Sequence, residues 1–454
     1  MSAVPLVVTS RRLPASEQTQ TVAQLLRYAD PHNPLVWVQS HAAAVGIGAA
    51  VTLQAAGPER FTQLQTQWEQ LVAAAQISDE VQVPGSGLVA FGTIAYGDDS
   101  SSTSLLVVPE IIVQRHHDEF FITTVQRATA GQIPQPLPPL TATALDFATW
   151  RGCDLRPVGT TAQQQEYRTA AATLLQEITA GNVQKAVLSR QISAEISVTA
   201  DLRIPLSRLA QQYSECAVFA IDGFLGASPE TLARTIQGSV RTRVLAGTAP
   251  RDTTDATADA AAGDSLLHSA QITAEHEFAA ASVIDALTPL VTELDTNTKP
   301  LVIGLPNVWH RATDINAKIS GEISCLDLVA AMHPTAAVAG TPTTAAVPLL
   351  QRVESFDRGR YAGAVGWISA AGDGEWALAL RCAQVSPLPG DPEAIMREDG
   401  STTANGSANS AASSAATRTV TATAGGGLVA GSEITAEYAE TVAKFAPIVA
   451  AFAP

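Results

Sequence analysis

An α+β fold follows from three features of the chain. Apolar, strand-like runs recur at 35–40, 88–96, 104–113 and 119–124, with an amphipathic helical stretch near 59–76 among them. Helix and strand then alternate again: 162–180 has helical periodicity closed by Gly181-Asn182, and Lys185-Ala-Val-Leu-Ser-Arg190 reads as a strand. No period of solenoid length repeats.

The remaining elements follow in order. A Pro-rich hinge, Gln132-Ile-Pro-Gln-Pro-Leu-Pro-Pro139, ends the first α+β half. Strands are expected at 217–222, 231–236, 301–310, 363–369 and 376–384, and helices at 264–287 and 324–332. Residues 386–417, dominated by Pro, Gly, Asp, Ser, Ala, Thr and Asn, have little to bury and read as a disordered insertion between strands 376–385 and 418–423.

Composition narrows the class. The 454 residues leave room for about three average domains, and 46% apolar residues supply a sizeable core. A net charge of −16 argues against nucleic acid, whose phosphates demand clustered Lys and Arg. The start lacks the basic-then-apolar order of a signal peptide, and the apolar stretch at 42–56 is too short and interrupted to span a bilayer. A cytoplasmic protein without a membrane partner is expected, monomeric by default. Cys153, Cys216, Cys325 and Cys382 form no Cys-x-x-Cys pair, so reduced core thiols are expected. Only four of the 27 basic residues are lysine: Lys185, Lys299, Lys318 and Lys444. Where arginine is the default cation, a lysine marks a place where a removable proton is useful, or a chance survivor.

Several segments carry candidate chemistry, each with an ordinary reading beside it. Lys185 opens an apolar strand, where partial desolvation would make its amine a base; a snorkelling structural lysine fits equally. Glu230 follows a tight turn, Gly226-Ala-Ser-Pro, and is either a placed carboxyl or a solvated one. Leu245-Ala-Gly247-Thr248-Ala-Pro-Arg251 is a small-residue turn whose N–H and hydroxyl groups suit a carboxylate, or simply a turn. Glu275-His276-Glu277 sits on a helical stretch, where only one of three consecutive residues can face a given site. Arg381, ending an apolar strand, needs an anion if buried, from a substrate or from an internal ion pair. Finally, Gly425-Gly426-Gly427 reads as a turn opening a helix with Glu433, Glu437, Glu440 and Lys444 on one face. That face would take a divalent cation beside an anionic ligand, or be a solvated acidic helix start. An oxygen-only ligand set from one carboxylate near 275 and those at 437 and 440 suits magnesium.

In this order and spacing, together with Met332-His333-Pro-Thr-Ala-Ala-Val-Ala-Gly and Arg358-Gly-Arg-Tyr361-Ala-Gly-Ala-Val-Gly-Trp367, these segments resemble the chorismate-utilising enzymes, and among their branches the isochorismate synthases. The resemblance covers about 150–454 strongly and the earlier part chiefly at Leu88-Val-Ala-Phe-Gly-Thr-Ile-Ala-Tyr, dividing one fold into 1–145 and a chorismate-binding catalytic region, 146–454. It implies large, mainly antiparallel β-sheets around a central site with helices packed outside, Mg2+ dependence, and chorismate as the small-molecule substrate. By position, Lys185 matches the lysine that activates water, and Glu230 the acid that protonates the departing hydroxyl. Glu275 and Glu440 match magnesium ligands, with Glu437 reaching through water. Arg381, Tyr361 and Lys444 match carboxylate-binding side chains, Gly247, Thr248 and Gly425–Gly427 the backbone lining, and His333 and His310 the site wall.

The branch is suggested by two residues. Family members that use ammonia generally lack a lysine at the 185 position, so Lys185 favours water. Salicylate synthases share that lysine but usually have Phe-Pro where His333-Pro334 stands. A salicylate synthase and a non-catalytic chorismate-binding paralogue remain the alternatives. One departure is Gln271-Ile272, where the family commonly has Lys-Asp or Lys-Asn.

Overall fold

The computed structural model describes residues 5–14, 21–40, 42–128, 140–252, 254–295, 299–389 and 416–454, except the side chains of 270, 271, 274 and 275. The hinge at 132–139 and most of the 386–417 insertion therefore lie outside the described residues. Within them, two mainly antiparallel sheets of 12 and 10 strands pack face to face with helices outside, as the α+β expectation requires. One pairing is parallel, between Leu6–Arg12 and Gln76–Asp79.

The central strands are apolar without a break because both of their faces are covered. In Leu35–Gln39, Leu35 and Trp37 enter the core shared with Phe91, Val365 and Trp376 of the other sheet. Val36 and Val38 point the opposite way, into a second core with Phe445, Ile448 and Phe452 of the helix Ile434–Phe452. Ala217–Ile221 divides its side chains identically, Phe219 inward and Val218 outward. Each fully buried side chain of this size contributes roughly 1.5–3 kcal/mol. A third, smaller core joins the helix Thr161–Thr179 to Ala186 and Leu188 on the strand Lys185–Ser197.

Strand order reveals an internal symmetry. From the central pair Leu35–Gln39 and Ala217–Ile221, one arm of the larger sheet continues through Phe224–Ser228, Cys382–Val385, Thr417–Val429 and Lys185–Ser197. The other continues through Ala42–Ile47, Ile111–His116, Glu119–Arg127 and Leu6–Arg12, which hold the same ordinal places in their half of the chain. In each half two of the passages between sheets run almost directly from strand to strand. The crossings fall at 229–230 and 379–381 in one half, and at 48–50 and 109–110 in the other.

These crossings explain where expected elements divide. The run 104–113 becomes Ser104–Val108 and Ile111–His116, broken at Pro109, which has no N–H for a ladder. The strand expected at 376–384 becomes Gly374–Leu378 and Cys382–Val385, with Arg381 in the left-handed region at φ 50°. Periodicity misses both breaks because each side stays apolar. The helix expected at 264–287 is two, Ala256–His268 and Ala270–Leu287, divided at Ser269, whose hydroxyl caps the second. The run 301–310 is likewise Leu301–Gly304 and Val308–Ile319. No helix among the described residues is long and apolar enough to cross a membrane.

Candidate active site

One pocket, with a volume of about 220 Å³, gathers most of the candidate residues at the seam where strands pass between the sheets. Its floor is built by strand periodicity. Lys185 and Val187 share a face of Lys185–Ser197, and their cross-strand partners Val429 and Gly427 line the pocket with them. Gly425, opposite Ser189, continues the floor: a Cβ there would stand 2.8 Å from Ser189 Oγ and 3.1 Å from Tyr361 Oη. The expected glycine turn is therefore corrected, since Gly425–Gly427 lie inside Thr417–Val429. Gly426 faces the other way, toward Glu437 and Thr441, and its missing side chain makes room for the C-terminal helix.

That helix begins at Ile434, with exposed Glu433 as its N-cap. Glu433 is thus outside the acidic face, whereas Glu437, Glu440 and Lys444 all line the pocket. Lys444 Nζ lies 2.5 Å from Glu440 Oε1 and donates to Gly425 O at 2.8 Å. Burial opposes ionisation of Glu440, but Lys444, Arg381 and Lys185 outweigh it and hold its pKa below the ordinary value. Glu437 Oε1 accepts from Ser432 Oγ at 2.7 Å. Two of the four lysines, Lys185 and Lys444, thus face one small pocket.

The opposite wall comes from the second sheet and the crossings. Glu230 is 5% exposed, and burial pushes its pKa up to about 8. A backbone hydrogen bond from Leu245 and the charges of Lys185, Arg381 and Lys444 oppose that shift without cancelling it. Arg381 is buried and donates toward His310 Nε2 at 3.4 Å, while His310 Nδ1 pairs with Thr248 Oγ1 at 3.0 Å. A guanidinium has no acceptor, so Nε2 accepts and the Nδ1–H tautomer donates to Thr248. Burial, Arg381 and Lys444 together pull the His310 pKa down to about 3, which keeps the ring neutral.

Gly247 and Thr248 belong to the strand Ser239–Pro250, not to a free turn. The ladder to Val308–Ile319 shifts register between Leu245 and Thr248, and Gly247 occupies this bulge at φ 96°. A Cβ there would lie 2.4 Å from Ile272 Cγ2, so glycine is required twice over.

Tyr361 lines the pocket, its phenol pushed up to about 12, mainly by burial. His333 does not line it: its Nε2 bonds Tyr96 O at 3.0 Å, and its ring packs against Phe61 and Tyr96. The expectation for this residue is corrected, because His333 ends the helix Cys325–Met332 and the segment reaches the pocket only at Ala337 and Val338. The Glu275 side chain lies outside the described residues, although Ile272 of the same helix lines the pocket. Sequence reasoning passed over Val187, Ile272, Ala337, Val338 and Leu380, which line it through ordinary apolar side chains without a local signal.

Among the described residues no group of three or more His, Cys, Asp or Glu side chains converges as a metal cage. Glu437 and Glu440 nevertheless present carboxylates from adjacent turns to one pocket, and hard oxygen donors fit Mg2+.

Strands of both sheets thus wall one pocket. The chain belongs to the chorismate binding enzyme family, whose profile matches residues 5–388. It is 34% identical over 298 residues to isochorismate synthase DhbC of Bacillus subtilis, covering 62% of this chain and 66% of that protein. It is 35% identical over 234 residues to isochorismate synthase EntC of Escherichia coli, covering 50% and 58%. The aligned stretch therefore spans less than two thirds of either relative's length. The fold matches MenF, the menaquinone-specific isochorismate synthase of Escherichia coli, with a TM-score of 0.72 at 20% identity, over 99% of this chain and 95% of that one.

Proposed function

We propose that this protein is an isochorismate synthase, converting chorismate to isochorismate by addition of water at C2 and loss of the C4 hydroxyl. The observation that carries the reading is an amine and a protonated carboxyl on one pocket. Lys185 stands on the floor, and Glu230, with a pKa of about 8, is a carboxylic acid at neutral pH. In this reading Lys185 takes a proton from the attacking water, and Glu230 gives one to the departing hydroxyl. Such acid and base roles typically contribute about 10²–10⁴-fold each.

Substrate carboxylates would meet Arg381, Lys444 and the Tyr361 hydroxyl, with His310 and Thr248 fixing the guanidinium. Gly425 and Gly427 let the ring lie against backbone. Mg2+, when bound, would neutralise carboxylate charge and draw electron density from the ring; Glu440 and Glu437 would hold it, with Glu275. The identities to named isochorismate synthases support the reaction, and the filled Lys185 position supports water over ammonia as nucleophile. We place the protein in the cytoplasm as a monomer.

The test is product analysis of the purified protein with chorismate and Mg2+. Isochorismate is the expected product. Anthranilate formed from ammonia, without isochorismate, would overturn the assignment, and pyruvate released without an added lyase would move it to salicylate synthase.

A further inference from the structure

The strand that carries Lys185 lies at the margin of its sheet. On one edge it pairs along its whole length with Thr417–Val429, but on the other only Lys185 and Ala186 find a strand, Gly340–Thr341. Beyond Ala186 the buried N–H and C=O groups on that edge need partners. Val187 N–H still donates to Ala339 O at 3.0 Å, and two side chains supply the next partners. Arg358 Nη2 donates to Val187 O at 2.5 Å, Arg358 Nη1 to Val338 O at 2.8 Å, and Ser189 N–H donates to Glu354 Oε1 at 2.8 Å.

These two side chains form a bidentate pair, Nε to Oε2 at 2.8 Å and Nη2 to Oε1 at 2.6 Å, only 3% and 4% exposed. The Arg358 guanidinium also stacks 4.6 Å from the Tyr96 ring, and its carbonyl accepts from Tyr361 N–H at 3.0 Å. Val187, Val338 and Tyr361 all line the pocket, on different elements.

The geometry points to Glu354–Arg358 as a positioning pair that stands in for the missing strand and fixes the Lys185 wall against the Ala337–Val338 wall and Tyr361. Neither residue lines the pocket, so both act through what they hold. The inference rests on the proposed isochorismate synthase activity, because the displaced wall carries its base. Arg358→Lys keeps the charge but cannot serve Glu354, Val187 and Val338 together from a fixed fork. A shift of the base by about 1 Å costs on the order of 100-fold in rate.

The experiment compares wild type, Arg358→Lys, Arg358→Ala and Glu354→Gln in the full chain, with kcat and KM for chorismate at saturating Mg2+ and the folded fraction from thermal melts. Expected is a fall in kcat of about 10- to 100-fold in folded Arg358→Lys, with KM much less affected, and partial recovery of Arg358→Ala by added guanidinium but not by sodium at equal ionic strength. A folded Arg358→Lys with unchanged kcat would overturn the inference. So would losses that track only the folded fraction, with no guanidinium recovery. Wild type that makes no isochorismate would overturn the functional reading, and this proposal with it.

Discussion

The two arms of the larger sheet have one strand order but opposite fates at their crossings. In the C-terminal arm, the crossings place Glu230 and Arg381, both buried, in the pocket. In the N-terminal arm, the corresponding crossings hold Gly48-Ala-Ala50 and Pro109-Glu110, and Glu110 is exposed. What differs is the intervening chain. Between Val51–Ala55 and Gln76–Asp79 stands only the helix Arg60–Ala74, whereas between Thr231–Ile236 and Gly340–Thr341 come Ser239–Pro250, Val308–Ile319 and the helix Ala270–Leu287. That block brings Leu245–Thr248, Ile272 and His310, which close a wall over the crossing. Ionisable groups at a sheet-to-sheet crossing can thus be buried where added structure encloses them, and elsewhere stay in water.

The largest expected effect separates the arms directly. Lys185→Ala and Glu230→Gln should each lower turnover by about 10²–10⁴-fold, while Glu110→Gln at the equivalent N-terminal crossing should stay within about twofold. Steady-state kinetics decides this, and equal effects at the two crossings would erase the distinction. Next is pH. Because Glu230 must be protonated to act as an acid, kcat/KM should fall as pH rises through about 8. Its raised pKa also means that its contribution to folding is complete below the unfolded carboxyl value and lost as pH rises through about 8, so Glu230→Gln should melt higher than wild type in alkali. A melting difference independent of pH would refute this.

Smaller effects follow from packing. Gly247→Ala should cost about 1–3 kcal/mol in denaturant unfolding, through its positive φ and its contact with Ile272. At Gly48, also at positive φ, the nearest atoms are the flexible end of Glu110, so Gly48→Ala should cost about 1 kcal/mol, without loss of turnover. Smallest of all, replacing residues 390–415 by a short turn should leave turnover within about twofold, because the flanking strands already pair from Cys382–Thr423 to Val385–Val420. Loss of activity there would give the insertion a part in the site.

Many elements were legible as short apolar runs: 231–236 matches Thr231–Ile236, and 162–180 is Thr161–Thr179, capped by Thr160. The sheet crossings were not, since a strand leaving one sheet for another keeps its apolar side chains. Lys185, Glu230, Arg381 and the Glu437–Glu440–Lys444 face were legible because a charge in or beside an apolar run needs a reason. Glu354 was not marked, and Arg358 only as the start of the Tyr361 motif, because an acid and a base four residues apart look like any helix-surface pair until the fold buries them.

By itself, then, the sequence determined which residues carry removable protons and fixed charges, and that alternating apolar segments would build an α+β core, because residue chemistry and local periodicity are written in the chain. Only the tertiary structure decided that Gly425 and Gly427 are a pocket floor instead of a turn, that His333 serves Tyr96, and that burial raises the Glu230 pKa. Those outcomes depend on burial and on charges brought together from distant parts of the chain, which no local pattern encodes.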